Sequence, residues 1–291
     1  MKKWRHNRTI AAWIMVFPYL IHAAVFVMFP VLFSLWLTFH TWNIIAPMTW
    51  NGLDNYVHLL QDSVFFKALL NTFLFLCIHI PLQILIALVL AVLLTEQKWF
   101  RGFFRSAFFM PVVISGVVIT IMWQQLYGLE TGTLNRMLTA MGFSRIEWLS
   151  DPDIAIISIA IMATWKNVGL YVILFLTGIQ QVPVSHYEAA EMEGAGSWIR
   201  FRYITLPSIK PTMLMVCILS TVGGFSLFIE PYIMTDGGPL NTTMSAMLYL
   251  YKQAFGYYHM GYASTLGLAF ALLVMGVVAI QKKVIEHDEE K

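Results

Sequence analysis

Three carboxylates and three cations crowd into the thirty residues from Val182 to Pro211: Glu188, Glu191 and Glu193 come first, then Arg200, Arg202 and Lys210. A further cation, Lys166, stands inside the apolar run before this stretch, and Glu230 lies within the run after it. Such groups can pair with one another, cap helices, bind a polar solute or dock a partner chain. They do not form a familiar reaction centre. No GxxxxGK[ST] is present to cradle nucleotide phosphates, there is no HExxH or GxSxG, and the eight histidines form no cluster at helical spacing. Cys77 and Cys217 sit in apolar runs, without disulfide or metal-ligand spacing. The chain is therefore expected to hold no catalytic residue, metal or cofactor, and to bind no nucleic acid.

Local sequence chemistry predicts a helical hairpin for the charged stretch. Ser185 followed three residues later by Glu188 has the spacing of a capping box. A short helix should begin near His186 and end at Gly194 or Gly196, where a left-handed turn costs glycine little. A second piece, Trp198 to about Thr205, should stop before Pro207. Ala189 and Ala190 give the first helix a flat face that a partner's backbone can approach. Glu191 and Glu193 are expected to be solvated, with Arg200 and Arg202 as flanking positive charges.

Composition places this hairpin in a membrane protein. Of 291 residues, 58% are hydrophobic and only 12% charged, with a mean hydropathy of +0.69, far from a soluble domain. The expected fold class is all-α: one polytopic domain over residues 1–291 with six transmembrane helices, near 10–35, 68–94, 103–127, 154–179, 212–234 and 263–281. Each is long enough for the roughly 20 residues a crossing requires. The first follows MKKWRHNR without a small-residue cleavage pattern, and is read as a retained helix.

Placing the N-terminus inside puts 13 of the 18 basic residues on the inner side: Lys2, Lys3, Arg5, Arg8, Lys98, Arg101, Arg105, Arg200, Arg202, Lys210, Lys282, Lys283 and Lys291. Only Lys67, Arg136, Arg145 and Lys252 fall outside. The positive-inside rule selects this orientation, with both termini and the 182–211 loop in the cytoplasm. Trp36, Trp42, Trp99 and Trp148 lie near span boundaries, as interfacial anchors do.

The spans contain little polar chemistry. A Lys at the centre of a membrane helix is unfavourable by about 2.5–3.5 kcal/mol, so Lys166 should face the bundle interior or an aqueous cavity. Asn167 adds hydrogen-bonding capacity beside it, and Leu170, Ile173 and Thr177 continue its helical face. In the fifth span, Ser220, Thr221, Gly223, Gly224, Phe225 and Ser226 form a small and polar run suited to close packing or a local break. Glu230 lies about four residues from the outer end and Lys166 about twelve in, roughly 12 Å apart in depth at a uniform rise. That separation argues against a direct pair and makes Glu230 an outer-mouth residue.

The run EAA at 188–190, with Gly194 beyond it and Leu206-Pro207 at a fixed distance, resembles the EAA loop of binding-protein-dependent ABC transporter permeases. The flanking QQVPVSHYEAAEMEGAG and TLPSIKP, with WLSDP, FFRSAFFMPVVISG and MTDGGPLNTT elsewhere, resemble the sugar-type subunits related to the larger maltose-permease subunit. Glu193 stands where that family often has aspartate. The resemblance implies that Glu188, Ala189, Ala190, Gly194, Leu206 and Pro207 couple the chain to a cytoplasmic ATPase. It implies a substrate pathway drawing on Lys166, Asn167, Leu170, Ser220, Gly223, Gly224, Phe225 and Glu230. The implied partners are a second permease subunit, two ATPase subunits, an extracytoplasmic substrate-binding protein and a carbohydrate substrate. The implied location is the cytoplasmic membrane. An ion-coupled secondary transporter is the alternative, and it would need an intramembrane carboxylate for which Glu230 is the sole candidate.

Overall fold

Small residues decide how closely the helices of this chain approach, because lipid is as apolar as their side chains and contributes little drive to their association. The structure, a computed structural model, describes residues 2–96 and 101–287; Lys98, Trp99 and Lys291, named above for charge and anchoring, lie outside that range. In chain order the helices are α1 (Lys2–Ala23), α2 (Phe29–Leu37), α3 (Asp54–Gln61), α4 (Ser63–Glu96), α5 (Arg101–Val113), α6 (Gly116–Leu126), α7 (Thr133–Ala140) and α8 (Ala155–Gln180). They continue with α9 (Val184–Met192), α10 (Ser197–Arg200), α11 (Leu206–Ser208), α12 (Lys210–Phe225), α13 (Ile229–Met234), α14 (Ala246–Tyr251) and α15 (Met260–His287). Two-residue strands β1 (His40–Thr41) and β2 (Thr49–Trp50) pair antiparallel, with His40 opposite Trp50.

Five helical segments among the described residues are long and apolar enough to cross a membrane: Ala11–Leu37, Ser63–Thr95, Ala155–Gln180, Lys210–Met234 and Met260–Lys283. The third expected span is not one straight helix. α5 and α6 meet at 97°, and count as a sixth crossing only if taken together. Ser115, at φ −50° and ψ 126°, leaves the helical region and turns the chain there.

The backbone separates into two compact units. In the first, Met1–Asp62 with Leu250–Ala271, buried Asn55 donates to the carbonyls of Thr38 (2.8 Å) and His40 (3.1 Å). Tyr262 donates to Asp62 at 2.5 Å. A β-carbon on Gly261 would lie 1.8 Å from the His40 carbonyl oxygen, so this backbone approach requires glycine.

In the second unit, Ser63–Tyr249 with Leu272–Lys291, α4 packs along α8. The core between them holds Ala87 and Ala91 of α4 against Val172, Phe175 and Leu176 of α8, with Val216 of α12. The backbone of α8 also presses on α5, where a β-carbon on Gly169 would lie 1.9 Å from the Phe108 carbonyl oxygen. The MTDGGPLNTT segment is a fixed turn, as its composition suggests. Gly237 lies at φ +85°, and one face of α4 holds the turn's carbonyls: Lys67 donates to Leu240 (2.7 Å), and Asn71 to Asn241 (2.6 Å) and Met244 (3.0 Å).

Candidate functional site

The charged stretch folds as a helical hairpin with boundaries that differ from the sequence expectation. α9 starts at Val184 with Pro183 as its N-cap and makes no side-chain cap hydrogen bond. Ser185 is therefore already inside the first turn, and the capping box with Glu188 does not form. The helix ends at Met192, and Gly194, at φ +81° with open space around it, makes the left-handed turn. The second limb does not stop before Pro207. It runs from α10 through a π-helical turn, Phe201–Thr205, into α11, and Pro207 occupies the first turn of that last piece. The π-helical turn just before it widens the backbone ladder where proline has no N–H to donate.

Glu191 is not merely solvated: it accepts a hydrogen bond from Arg200 at 3.2 Å, tying one limb to the other. Tyr187 and Thr205 hydroxyls meet at 3.0 Å and make a second tie. Glu188 is exposed and, among the described residues, makes no ion pair. Ala189 and Ala190 line an open groove of about 470 Å³ with Glu193, Ile199, Tyr203 and Ile204. Leu206 and Pro207, on the second limb between the lining residues Ile204 and Ser208, do not line it, and Gly194 serves the turn. Met192 (86% exposed), Trp198 and Tyr203 (both 73%) leave apolar surface uncovered on the hairpin itself.

The second candidate region lies within the membrane helices. A cavity of about 200 Å³ is bounded by α4, α8, α12 and α13. Six of the eight expected pathway residues line it: Lys166, Asn167, Ser220, Gly223, Gly224 and Glu230. Leu170 and Phe225 do not. The lining stripe of α8 is Ala163, Lys166, Asn167 and Tyr171, a helical repeat that passes through Tyr171 and leaves Leu170 38% exposed elsewhere. Phe225 is buried edge-on against Phe73, with ring centroids 5.6 Å apart.

Glu230 is not an outer-mouth residue separated from Lys166. Its carboxylate accepts from the Lys166 ammonium at 2.5 Å, and the two side chains are 8% and 17% exposed. The depth argument fails because the fifth span is not a uniform helix. α12 ends at Phe225, Phe228 adopts φ −141° and ψ −57°, and α13 restarts at Ile229. The restarted turn packs on α6 and α8, which brings Glu230 to Lys166. Gly224 leaves room for the Leu76 side chain of α4, whose terminal methyl would lie 2.3 Å from an added β-carbon. Sequence reasoning passes over three further residues of this region. His79 lines the cavity and meets the Thr164 hydroxyl at 2.8 Å; Tyr171 lines it as well; and Gln83, fully buried, donates to Ser220 at 2.6 Å. A lone ionisable side chain in an apolar run, as His79 is, was the available signal.

The family model for the binding-protein-dependent transport system inner membrane component matches residues 63–285. The chain belongs to this family. Among its relatives, a probable ABC transporter permease protein of Bacillus subtilis (strain 168), YurN, is 36% identical over 95% of this chain and 98% of its own length. The lactose transport system permease protein LacF of Rhizobium radiobacter is also 36% identical, over 91% and 90% of the two chains. In fold, the permease matches a chain from the crystal structure of a bacterial ABC transporter involved in alginate import, with a TM-score of 0.83 and 22% identity over 99% of both chains. The permease is thus a multi-pass inner-membrane subunit of an ABC importer that works with a binding protein. It is not itself an enzyme, and ATP hydrolysis belongs to a separate subunit. This membership sets aside the ion-coupled alternative.

Proposed function

We propose that this permease carries a carbohydrate (a sugar, oligosaccharide or polyol) across the membrane by alternating access, through the cavity that Lys166, Asn167, Ser220, Gly223 and Glu230 line. The observation that carries the reading is the cavity itself: donors and acceptors of several kinds converge inside an otherwise apolar bundle, at the point where α12 breaks before α13. Broken membrane helices expose backbone and side-chain groups to a solute. The lactose-transport relative agrees in substrate class.

In this proposal both termini and the α9–α11 hairpin are cytoplasmic, the orientation that the distribution of basic residues favours. Glu188 meets a cation in a groove of an ATPase subunit, Ala189 and Ala190 allow close packing, and the uncovered Met192, Trp198 and Tyr203 are buried at the same contact. A second permease subunit completes the pathway above two ATPase subunits, and the binding protein docks outside. ATP-driven closure of the ATPase pair moves the hairpin, and the helices continuous with it reopen the cavity to the other side.

The test is purification of the membrane complex followed by uptake. The permease should bring down an ATPase, and proteoliposomes supplied with ATP and a sugar-loaded binding protein should accumulate that sugar. A complex that takes up only non-carbohydrate solutes would refute the substrate class.

A further inference from the structure

The formal charges on the wall of the intramembrane cavity cancel. Among the described residues that line it, Lys166 and Glu230 carry one charge of each sign, in direct contact at 2.5 Å. The other polar lining groups, Asn167, Tyr171, Ser220 and Ser226, are neutral donors and acceptors. His79 makes its bond to the Thr164 hydroxyl through one ring nitrogen, and the neutral imidazole suffices for it.

Pairing leaves both partners with unused capacity. A lysine ammonium has three N–H groups and a carboxylate about four lone-pair sites, and one of each is spent here. The contact therefore presents free donors beside free acceptors. Sugar hydroxyls are matched to such a wall, because every hydroxyl both donates and accepts. A carboxylate on the solute meets a different balance. It can reach Lys166 only by sharing that cation with Glu230, which places two anions against one cation where both side chains are largely buried.

Resting on the reading that this cavity carries a carbohydrate, we infer that the Lys166–Glu230 pair is a specificity-determining element. It suits the cavity to uncharged glycans and rejects sugars that bear a carboxylate. The rejection comes from an uncompensated charge and needs no steric clash, a form of discrimination that acts against the wrong solute as much as for the right one.

The assembled importer, purified with its ATPase subunits, tests this by direct binding. The probes are neutral di- to tetrasaccharides and the same sugars carrying one terminal carboxylate. The neutral forms should bind more tightly than their acid counterparts by about tenfold or more. Glu230→Gln, which leaves the cavity with a net positive charge, should narrow or invert that ratio. The exchanged pair, Lys166→Glu with Glu230→Lys, should restore it and controls for folding. Co-purification of the ATPase reports assembly of each variant. Acidic sugars bound as tightly as neutral ones by the unaltered complex would overturn the inference and leave the carbohydrate reading standing. So would a ratio that Glu230→Gln does not move. Binding of neither class would overturn the carbohydrate reading itself.

Discussion

The hairpin and the cavity solve the problem of placing charge beside a membrane in opposite ways. In the hairpin, Glu188 is left exposed, and large apolar side chains such as Met192, Trp198 and Tyr203 stand uncovered around it. In the cavity, Lys166 is neutralised by Glu230, and Ser220 is engaged by Gln83, all within one chain. In the proposed assembly the hairpin is completed by a partner, while the charges that this chain brings to its cavity balance within the chain. On that reading, uncovered chemistry suits a docking surface, and internally paired charge suits a compartment that a neutral polar solute can enter without leaving an ion unpaired.

The sharpest way to break that contrast is to reverse the one exposed charge assigned to docking. Glu188→Lys should abolish uptake while leaving the permease inserted, because it places like charges together at the ATPase contact. ATPase co-purification and transport measured together decide it. Normal assembly with normal uptake would remove Glu188 from the coupling machinery.

In the cavity, the large effect should come from breaking the balance. Lys166→Met leaves Glu230 buried without its cation, and removal of one member of a buried pair costs about 3–5 kcal/mol in soluble proteins. Thermal unfolding of the detergent-purified complex should show this loss. Lys166→Met combined with Glu230→Gln should recover much of the stability but less of the uptake, because the free donors and acceptors of the pair are gone. If the single variant is as stable and as active as the unaltered chain, the ion pair has no part in either property.

Two glycines sharpen the comparison further. Gly169 lies two residues beyond Asn167 on the wall helix α8, where an added β-carbon would meet the Phe108 carbonyl oxygen at 1.9 Å. Gly169→Ala must push α8 and α5 apart and should cost about 1–3 kcal/mol or more. Gly194 in the hairpin has open space around it, and its constraint is only φ +81°. Gly194→Ala should cost about 1 kcal/mol, the left-handed penalty partly offset by a less flexible unfolded chain. Equal losses of melting temperature would mean that the wall is not close-packed at Gly169.

What could be read directly from residues was local or averaged over a whole segment. The turn at Gly194 follows from what one glycine permits, and the spans follow from hydropathy summed over some twenty residues. The Lys166–Glu230 contact could not be read that way, because it depends on where a helix stops. The break at Ser226–Phe228 comes just past Gly223-Gly224, and a uniform 1.5 Å rise carried across it misplaces Glu230. Pro231 was a usable clue, since proline sits without strain in the first turn of a helix, as it does in α13. The start of α9 differs from its sequence signal for a related reason: Ser185 and Glu188 have capping-box spacing, but the helix begins at Val184, after Pro183, before either can act. Leu170 lies four residues beyond Lys166 and so shares its helical face by spacing alone, whereas the wall tracks Tyr171.

The smallest expected effect belongs to the hairpin's own ion pair. Arg200 and Glu191 meet at 3.2 Å, but their side chains are 27% and 70% exposed, and exposed pairs contribute about 0–1 kcal/mol. Glu191→Gln should therefore leave the melting temperature of the purified complex nearly unchanged, in contrast to Lys166→Met, although both remove one member of a lysine- or arginine-carboxylate contact. Its effect on transport depends on whether the tie matters when the limbs carry force. Tyr187 and Thr205 hold the same limbs together at 3.0 Å, so the hairpin retains one tie without Glu191, and uptake should fall by less than about twofold, an energy below roughly 0.4 kcal/mol. A loss of stability comparable to that of Lys166→Met would show that the hairpin's charges are as internally balanced as the cavity's, and the division between an incomplete surface and a self-sufficient interior would no longer hold.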